Sequence, residues 1–355
     1  MNPLDQIGKR VVVTALGNDP LDAIDRCTTI EPMPPPDPQT LGARDVIVTV
    51  RSASVGWVDL LMTSGNYQHH ATPPYTPGLE YAGEIAWVGA DVGDRQVGDR
   101  VLVDGFLAGP RSLGAYRRWG GFASYAVAPA DAVHAIPGAL DFDQACNLLG
   151  NYETAYHCLI TRGRLARGET VLIHGASGST GLAAVHVAKQ VGATVIATGR
   201  SAAKLEIVRA QGADHAITTE DLRGTVKSLT GGRGVDVVYD GVGGDISVES
   251  LRCVRFGARY LIVGWAATPF ARDKPNQLPT NLIMMKGLDV LGCPTVISTV
   301  NDPSLRAPRL AAILDWASAG AITPYVSHTF PLSDFRAAMH AKWRGDVIGG
   351  CVLHP

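Results

Sequence analysis

The sequence predicts an α/β chain in two domains: a doubly wound, parallel sheet joined to a β-rich, barrel-like domain. Three observations predict it. At 355 residues the chain is longer than one ordinary core organises. Its first third is a series of short apolar strand candidates punctuated by Gly and Pro, whereas strand and helix patterns alternate after Pro137. Finally, Val171 to Arg200, VLIHGASGSTGLAAVHVAKQVGATVIATGR, sets strand, glycine turn, helix and strand within about 30 residues.

Taken in order, Arg10–Ala15 and Val46–Arg51 are β-branched runs, separated by a proline cluster from Pro32 to Pro38 that excludes helix. Tyr81–Val88, Arg100–Asp104 and Phe122–Ala128 continue the strand pattern, with turns at Gly93-Asp94 and Gly98-Asp99. Gly105–Gly121 reads as a loop carrying Arg111, Arg117 and Arg118. This first part is expected to span residues 1–136.

Residues 137–294 are expected to form the second domain. Phe142–Leu149 and Tyr152–Arg162 read as helices. Val171–Ile173 is a buried strand, and Leu182, Val185 and Ala188 give the next helix its apolar stripe. Strand Thr194–Thr198 leads to helix Ala202–Gln211 with Ser201 as N-cap. Strand His215–Thr218, helix Glu220–Leu229, strand Val235–Tyr239, helix Ile246–Val254, and strands Tyr260–Val263 and Leu288–Leu291 follow. The remainder, 295–355, carries helix Pro303–Ala319, strand Val326–Pro331, helix Asp334–Lys342 and strand Cys351–Leu353, and is expected to return to the first domain.

A net charge of −2 argues against a nucleic-acid or membrane surface as the main partner. The six cysteines are dispersed with no Cys-x-x-Cys, so neither a zinc cluster nor a disulfide framework is signalled. The start, MNPLDQIGKR, lacks an apolar leader, and no run is long and apolar enough to span a bilayer; a cytoplasmic protein is expected.

The glycine turn carries the chemistry. Gly175, Gly178 and Gly181 follow a strand and open a helix, whose unpaired N–H groups and positive dipole end suit a pyrophosphate. Dinucleotide sites that prefer NAD place an acid at the end of the second strand to accept the ribose hydroxyls. Here that place reads Thr198-Gly199-Arg200-Ser201. Arg200, Ser201 and Lys204 can donate to a 2′-phosphate and Gly199 leaves room, so NADPH is the expected cofactor.

Further segments carry a resemblance. Gly78-Leu79-Glu80, Val97-Gly98-Asp99-Arg100-Val101, Gly120-Gly121-Phe122-Ala123-Ser124-Tyr125, HGASGSTG and Gly231-Gly232-Arg233-Gly234-Val235-Asp236 are similar to motifs of the medium-chain dehydrogenase/reductase superfamily. The chain resembles its zinc-independent quinone oxidoreductase (zeta-crystallin-like) branch over nearly its whole length. The resemblance implies a GroES-like catalytic domain, split in sequence, around a Rossmann domain. It places Ser177, Gly178, Ser179, Thr180 and Gly181 at the pyrophosphate, with Asn151, Thr154, Gly241, Val242, Gly264 and Trp265 bordering the cofactor. It implies a homodimer paired through the last Rossmann strand, near Gly287–Pro294.

Relatives that use zinc hold it through an early Cys and the His of Gly-His-Glu. The corresponding segments here are Val55-Gly56-Trp57-Val58-Asp59 and Gly78-Leu79-Glu80, so no metal is expected. Adjacent His69 and His70 read as loop surface. Without a Lewis acid the expected substrates are already activated: quinones or α,β-unsaturated carbonyl compounds. Tyr67 is the expected donor to the developing oxyanion, Trp57 a wall of the pocket, and Asp59 a structural residue. Branch members often carry Asn-Phe before that Asp and a Tyr two residues after it; Gly56-Trp57 and Leu61 make this pocket more apolar. An enoyl-CoA or 2-haloacrylate reductase, and a non-catalytic NADPH-binding protein, stay open as alternatives. The arginine loop reads either as a receptor for an anionic substrate tail or as a solvated surface.

Overall fold

The computed structural model describes residues 3–69, 71–112, 115–267 and 275–355. Along the chain come β1 (Gly8–Val13), α1 (Pro20–Arg26), β2 (Thr28–Met33), β3 (Asp45–Ser54), α2 (Trp57–Thr63), β4 (Glu80–Val88), β5 (Arg100–Val103), β6 (Tyr125–Pro129) and β7 (Val133–Ala135). Two helices follow, α3 (Phe142–Ala145) and α4 (Leu149–Tyr156). Then β8 (Thr170–Ile173), α5 (Ser179–Val191), β9 (Thr194–Gly199), α6 (Ala202–Ala210), β10 (His215–Thr218), α7 (Leu222–Leu229), β11 (Val235–Asp240), α8 (Asp245–Ser250) and β12 (Val254–Ile262) alternate strictly. The chain closes with α9 (Thr280–Lys286), β13 (Asp289–Gly292), α10 (Thr295–Asn301), α11 (Arg306–Ser318), β14 (Val326–Pro331), α12 (Phe335–Arg344) and β15 (Gly350–His354).

The chain divides into two compact units, Met1–Gly150 with Thr323–Pro355, and Asn151–Ile322. In the first, a sheet of order β14-β15-β3-β4-β5-β7 has β6 paired to Asp45–Thr49 of β3, away from the end that β15 takes, while β1 and β2 form an antiparallel pair. The C-terminal segment joins through β15, whose Val352 and Leu353 pair with Ser54 and Ala53. Strand β3 alternates its faces: Val46, Val48 and Val50 enter a core with Tyr81, Ile85, Phe335 and Met339, and Ile47 packs with Ala86 and Val127 on the opposite side.

The second unit is a six-stranded parallel sheet of order β10-β9-β8-β11-β12-β13. Counted from β8 this is 3-2-1-4-5-6, the doubly wound order, with its reversal between β8 and β11. Val171, Leu172, Ile173, Val237, Val238 and Tyr239 are fully enclosed, as central strands covered on both faces require. No helix among the described residues is long and apolar enough to cross a membrane.

Several elements differ from the sequence expectation. Trp57–Thr63, for which no helix was expected, is helical; Gly56 caps it through its own N–H, which donates to Asp59 Oδ2 at 2.9 Å. Seven residues are too few for a periodic pattern to register. The helix expected over Tyr152–Arg162 begins at Leu149 and turns π-helical over His157–Arg162. Helix Glu220–Leu229 starts two residues late, because Asp221 takes φ +42° and caps Gly224 from there. Helices Pro20–Arg26, Thr280–Lys286 and Thr295–Asn301 went unread.

Candidate cofactor turn and acceptor-side residues

In the second unit the turn after β8 is shaped by close backbone approach. Gly175 has φ +63°, a conformation side chains other than glycine rarely adopt. A Cβ on Gly181 would lie 2.3 Å from the Gly175 carbonyl oxygen, so α5 seats against the turn only because Gly181 has none. Gly178 caps α5 without a side chain, and α5 closes at Gly192 in the left-handed conformation. Ser177, Gly178, Ser179, Thr180 and Gly181 are thus brought to one helix start. Thr180 Oγ1 donates to Asn151 Oδ1 at 3.2 Å, which adds the start of α4, carrying Thr154, to the same place.

The end of β9 stands beside the turn: Ala176 N–H donates to the Thr198 carbonyl at 3.1 Å. Gly199 follows, where a Cβ would meet Leu205 Cδ2 at 3.3 Å. Arg200 is exposed and Lys204 half-buried. Ser201 accepts the Lys204 N–H as N-cap of α6, which leaves its hydroxyl proton to donate elsewhere.

On the other side of the reversal, Asp240 ties a knot that sequence reasoning missed. Its Oδ1 accepts from Val242 N (2.9 Å) and Gly243 N (3.0 Å), and its Oδ2 from Ser247 Oγ and Tyr260 OH, both at 2.5 Å. Against the raising effect of burial, hydrogen bonds from the Ser247 and Tyr260 hydroxyls and the Gly243 N–H hold this carboxyl below the ordinary carboxylate value. Gly241 and Val242 carbonyls accept from Ala266 N and Ala267 N at 3.2 and 2.8 Å. Gly241-Val242 and Gly264-Trp265 therefore share one corner of the sheet, with Trp265 half exposed.

In the first unit, Asp59 organises the residues read as the acceptor side. Besides Gly56 it accepts from Gly78 N and Leu79 N, each at 3.1 Å to Oδ1. Burial pushes its carboxyl up to about 6, against the pull of those three N–H groups and of Arg111. Asp59 is structural in the sense the sequence suggested. Tyr67 and Val58 pack on a small apolar cluster of Val13, Met62, Ala71, Tyr75 and Leu79. Trp57 lies elsewhere: it stacks on Trp343, ring centroids 4.9 Å apart and 5° from parallel, against the main core. The structure thus places Trp57 and Tyr67 in different clusters, and Trp343 had no local signal.

His69 is half-buried and sits edge-on to Tyr67 at 6.0 Å, rather than on open loop surface; His70 lies outside the described residues. The arginines of the loop part company. Arg111 lies over the Phe106 ring at 4.8 Å and within the field of Asp59, whereas Arg118 covers Trp119.

The residues present do not fit a zinc ion. Among the described residues no three His, Cys, Asp or Glu side chains come together as a metal site. Leu79 is buried in the Tyr67 cluster, Asp59 spends both oxygens on backbone N–H groups, and Glu80 accepts from Gly150 N.

Comparison with known proteins agrees with this architecture. The alcohol dehydrogenase GroES-like domain matches residues 42–138, and the zinc-binding dehydrogenase family matches residues 179–302. The quinone oxidoreductase-like protein 2 homolog of Nematostella vectensis is 34% identical over 318 residues, 87% of this chain and 82% of the relative. The chain belongs to the quinone oxidoreductase-like medium-chain dehydrogenases/reductases. Among solved members, a probable oxidoreductase from Mycobacterium abscessus superposes with TM-score 0.81 at 28% identity, covering 99% of this chain and 100% of that one. Escherichia coli quinone oxidoreductase, solved in complex with NADPH, gives TM-score 0.79 at 25% identity, covering 98% and 100%.

Proposed function

We propose that this family member is an NADPH-dependent reductase that passes hydride to quinones or α,β-unsaturated carbonyl compounds without a metal. The observation that carries the reading is the acid-free end of β9, Thr198-Gly199-Arg200-Ser201, hydrogen-bonded to the glycine turn. The NADPH complex of the Escherichia coli relative supports it.

The residues fit the cofactor. Ser177 to Gly181 lie at the N-terminus of a 13-residue helix, whose positive dipole end would face a pyrophosphate. Arg200, Ser201 and Lys204 would hold the 2′-phosphate, and Asn151, Thr154, Gly241, Val242, Gly264 and Trp265 the remainder. NADPH, when bound, supplies the hydride; the protein positions, excludes water and donates a hydrogen bond. Tyr67 is the proposed donor to the acceptor's oxygen as negative charge develops there, a contribution typically about 2.7–4 kcal/mol. Trp57 is the second residue proposed on the acceptor side. The apolar surroundings of Tyr67 and Val58 favour an apolar enone over a polar quinone. The edge strand β13 is the proposed homodimer seam.

Oxidation of NADPH and NADH against benzoquinone, phenanthrenequinone, an alkyl enone, crotonyl-CoA and 2-chloroacrylate tests the reading. Arg200→Ala and Lys204→Ala are each expected to raise KM for NADPH about tenfold, as loss of a charge-assisted hydrogen bond implies, with NADH unaffected. A wild-type preference for NADH would sink the cofactor assignment.

A further inference from the structure

We propose that His174 is a positioning residue for cofactor selectivity: fixed as its neutral Nε2–H tautomer, it clamps the end of β9, and with it the 199–201 corner, to the glycine turn. The inference rests on the NADPH reading and adds a residue to it that does not touch the cofactor.

His174 is 1% exposed and directly follows β8, before Gly175. Its two ring nitrogens reach two different elements. Nδ1 lies 2.8 Å from Thr198 Oγ1 on β9, and Nε2 lies 2.6 Å from Ser250 Oγ at the end of α8. The proton positions follow from the partners. Ser250 Oγ is also 2.6 Å from the Ile246 carbonyl, which has no proton to offer, so the hydroxyl donates there. Toward His174 it can then only accept, which requires Nε2–H. Nδ1 is left with a lone pair, and the Thr198 hydroxyl donates to it.

The chain is therefore directional: Thr198 O–H to Nδ1, Nε2–H to Ser250, Ser250 O–H to Ile246. Burial pushes the imidazole down to about 4, against the pull of Asp240, so the neutral form persists across the physiological range. The backbone repeats the tie: His174 N–H donates to the Tyr239 carbonyl at 3.0 Å, and the Thr198 carbonyl accepts from Ala176 N. Thr198 is wholly buried and is followed at once by Gly199, Arg200 and Ser201. Its side chain has one direction set by His174, and the residues that would read the 2′-phosphate start one peptide further on. A leucine in place of His174 would leave two buried hydroxyl partners unanswered and unfix that corner. Glutamine, whose amide also presents one donor and one acceptor, can keep both bonds.

The test is the ratio of Kd for NADH to Kd for NADPH, measured by fluorescence titration on wild type, His174→Gln, His174→Leu and Thr198→Val. His174→Leu and Thr198→Val are expected to lower the ratio about fivefold or more, the equivalent of one neutral hydrogen bond, and His174→Gln to stay within about twofold of wild type. If His174→Leu does not fold, Thr198→Val carries the measurement, because it removes the same hydrogen bond and leaves the ring in place. Unchanged selectivity in Thr198→Val, or equal loss in the Gln and Leu variants, would overturn the inference and leave the cofactor reading intact. Wild-type preference for NADH would instead remove the reading beneath it. Long-range ¹H–¹⁵N correlation of the histidine rings, assigned by difference from His174→Gln, should show Nε2–H; an Nδ1–H pattern refutes the clamp.

Discussion

Replacing Gly181 by alanine tests the seat of α5 with a single methyl group. The added Cβ would stand 2.3 Å from the Gly175 carbonyl oxygen and 2.9 Å from Ala176 Cα. Ordinary contact begins near 3.4 Å, so about 1 Å is missing, and the obstructing atoms are backbone that cannot rotate aside. Either the turn or α5 must move by that amount. Leu182, Val185 and Ala188 on α5 are all buried, so the shift loosens packing along the helix. Overpacking of this kind costs about 1–3 kcal/mol. The same shift displaces the N–H groups proposed for the pyrophosphate, and a misplacement of about 1 Å can cost up to a hundredfold in turnover. Urea denaturation and NADPH titration of Gly181→Ala are the assays. Gly138→Ala is the control, because a Cβ there meets nothing within 4 Å; it should stay within about 0.5 kcal/mol of wild type. A Gly181→Ala protein with wild-type stability and NADPH affinity would refute the argument that close approach dictates this glycine.

Two further predictions concern buried charge in the same unit. Glu153, 1% exposed, accepts from Arg306 and from Arg309, which is 0% exposed and also donates to Thr299 Oγ1. Glu153→Leu leaves the Arg309 guanidinium without its counter-charge and should cost about 3–5 kcal/mol, while Glu153→Leu with Arg309→Met should recover most of it; additive losses in denaturation curves would refute the coupling. The second is acid sensitivity. Burial lowers His174 and His157 from 6.5 to about 4, with Asp240 opposing for the first and Arg309 and Arg162 assisting for the second. The folded state then binds fewer protons than the unfolded one, so this stability is fully present above pH 6.5 and is lost as pH falls toward 4. Each imidazole should cost about 2 kcal/mol between pH 7 and 5, and His174→Gln should remove its share; an unchanged slope in that variant would show that His174 is not the group responsible.

The doubly wound sheet was legible because its signals are local. Central strands such as Val171–Ile173 are unbroken apolar runs, and a turn that needs glycine says so at each position. The acid-free end of β9 is local in the same way, since it concerns one strand end, and the roles of Arg200, Ser201 and Lys204 there are proposed from it. What was not legible is what distant residues do together. Nothing in the sequence pairs Trp57 with Trp343, or His174 with Ser250, because those contacts are set by how α2 meets α12 and how α8 lies along the sheet. Short helices escaped for a different reason. Trp57–Thr63 owes its start to a carboxylate three residues on that caps Gly56, and that same carboxylate is shared with Gly78 and Leu79.

That sharing bears on how the first unit is held together where zinc-using relatives place their ligands. The two segments at which the resemblance places zinc ligands are 55–59 and 78–80. Here they are joined by Asp59, whose two oxygens take the N–H groups of Gly56 on one side and of Gly78 and Leu79 on the other. Leu79, at the ligand position, turns into the apolar cluster that also seats Val58 and Tyr67. A buried carboxylate and a leucine thus hold together what three side chains around an ion would otherwise hold. The consequence is chemical as well as structural. Under the proposed function, the apolar cluster that seats Val58 and Tyr67 would take the carbon skeleton of a conjugated carbonyl compound, and the Tyr67 hydroxyl would donate to its oxygen.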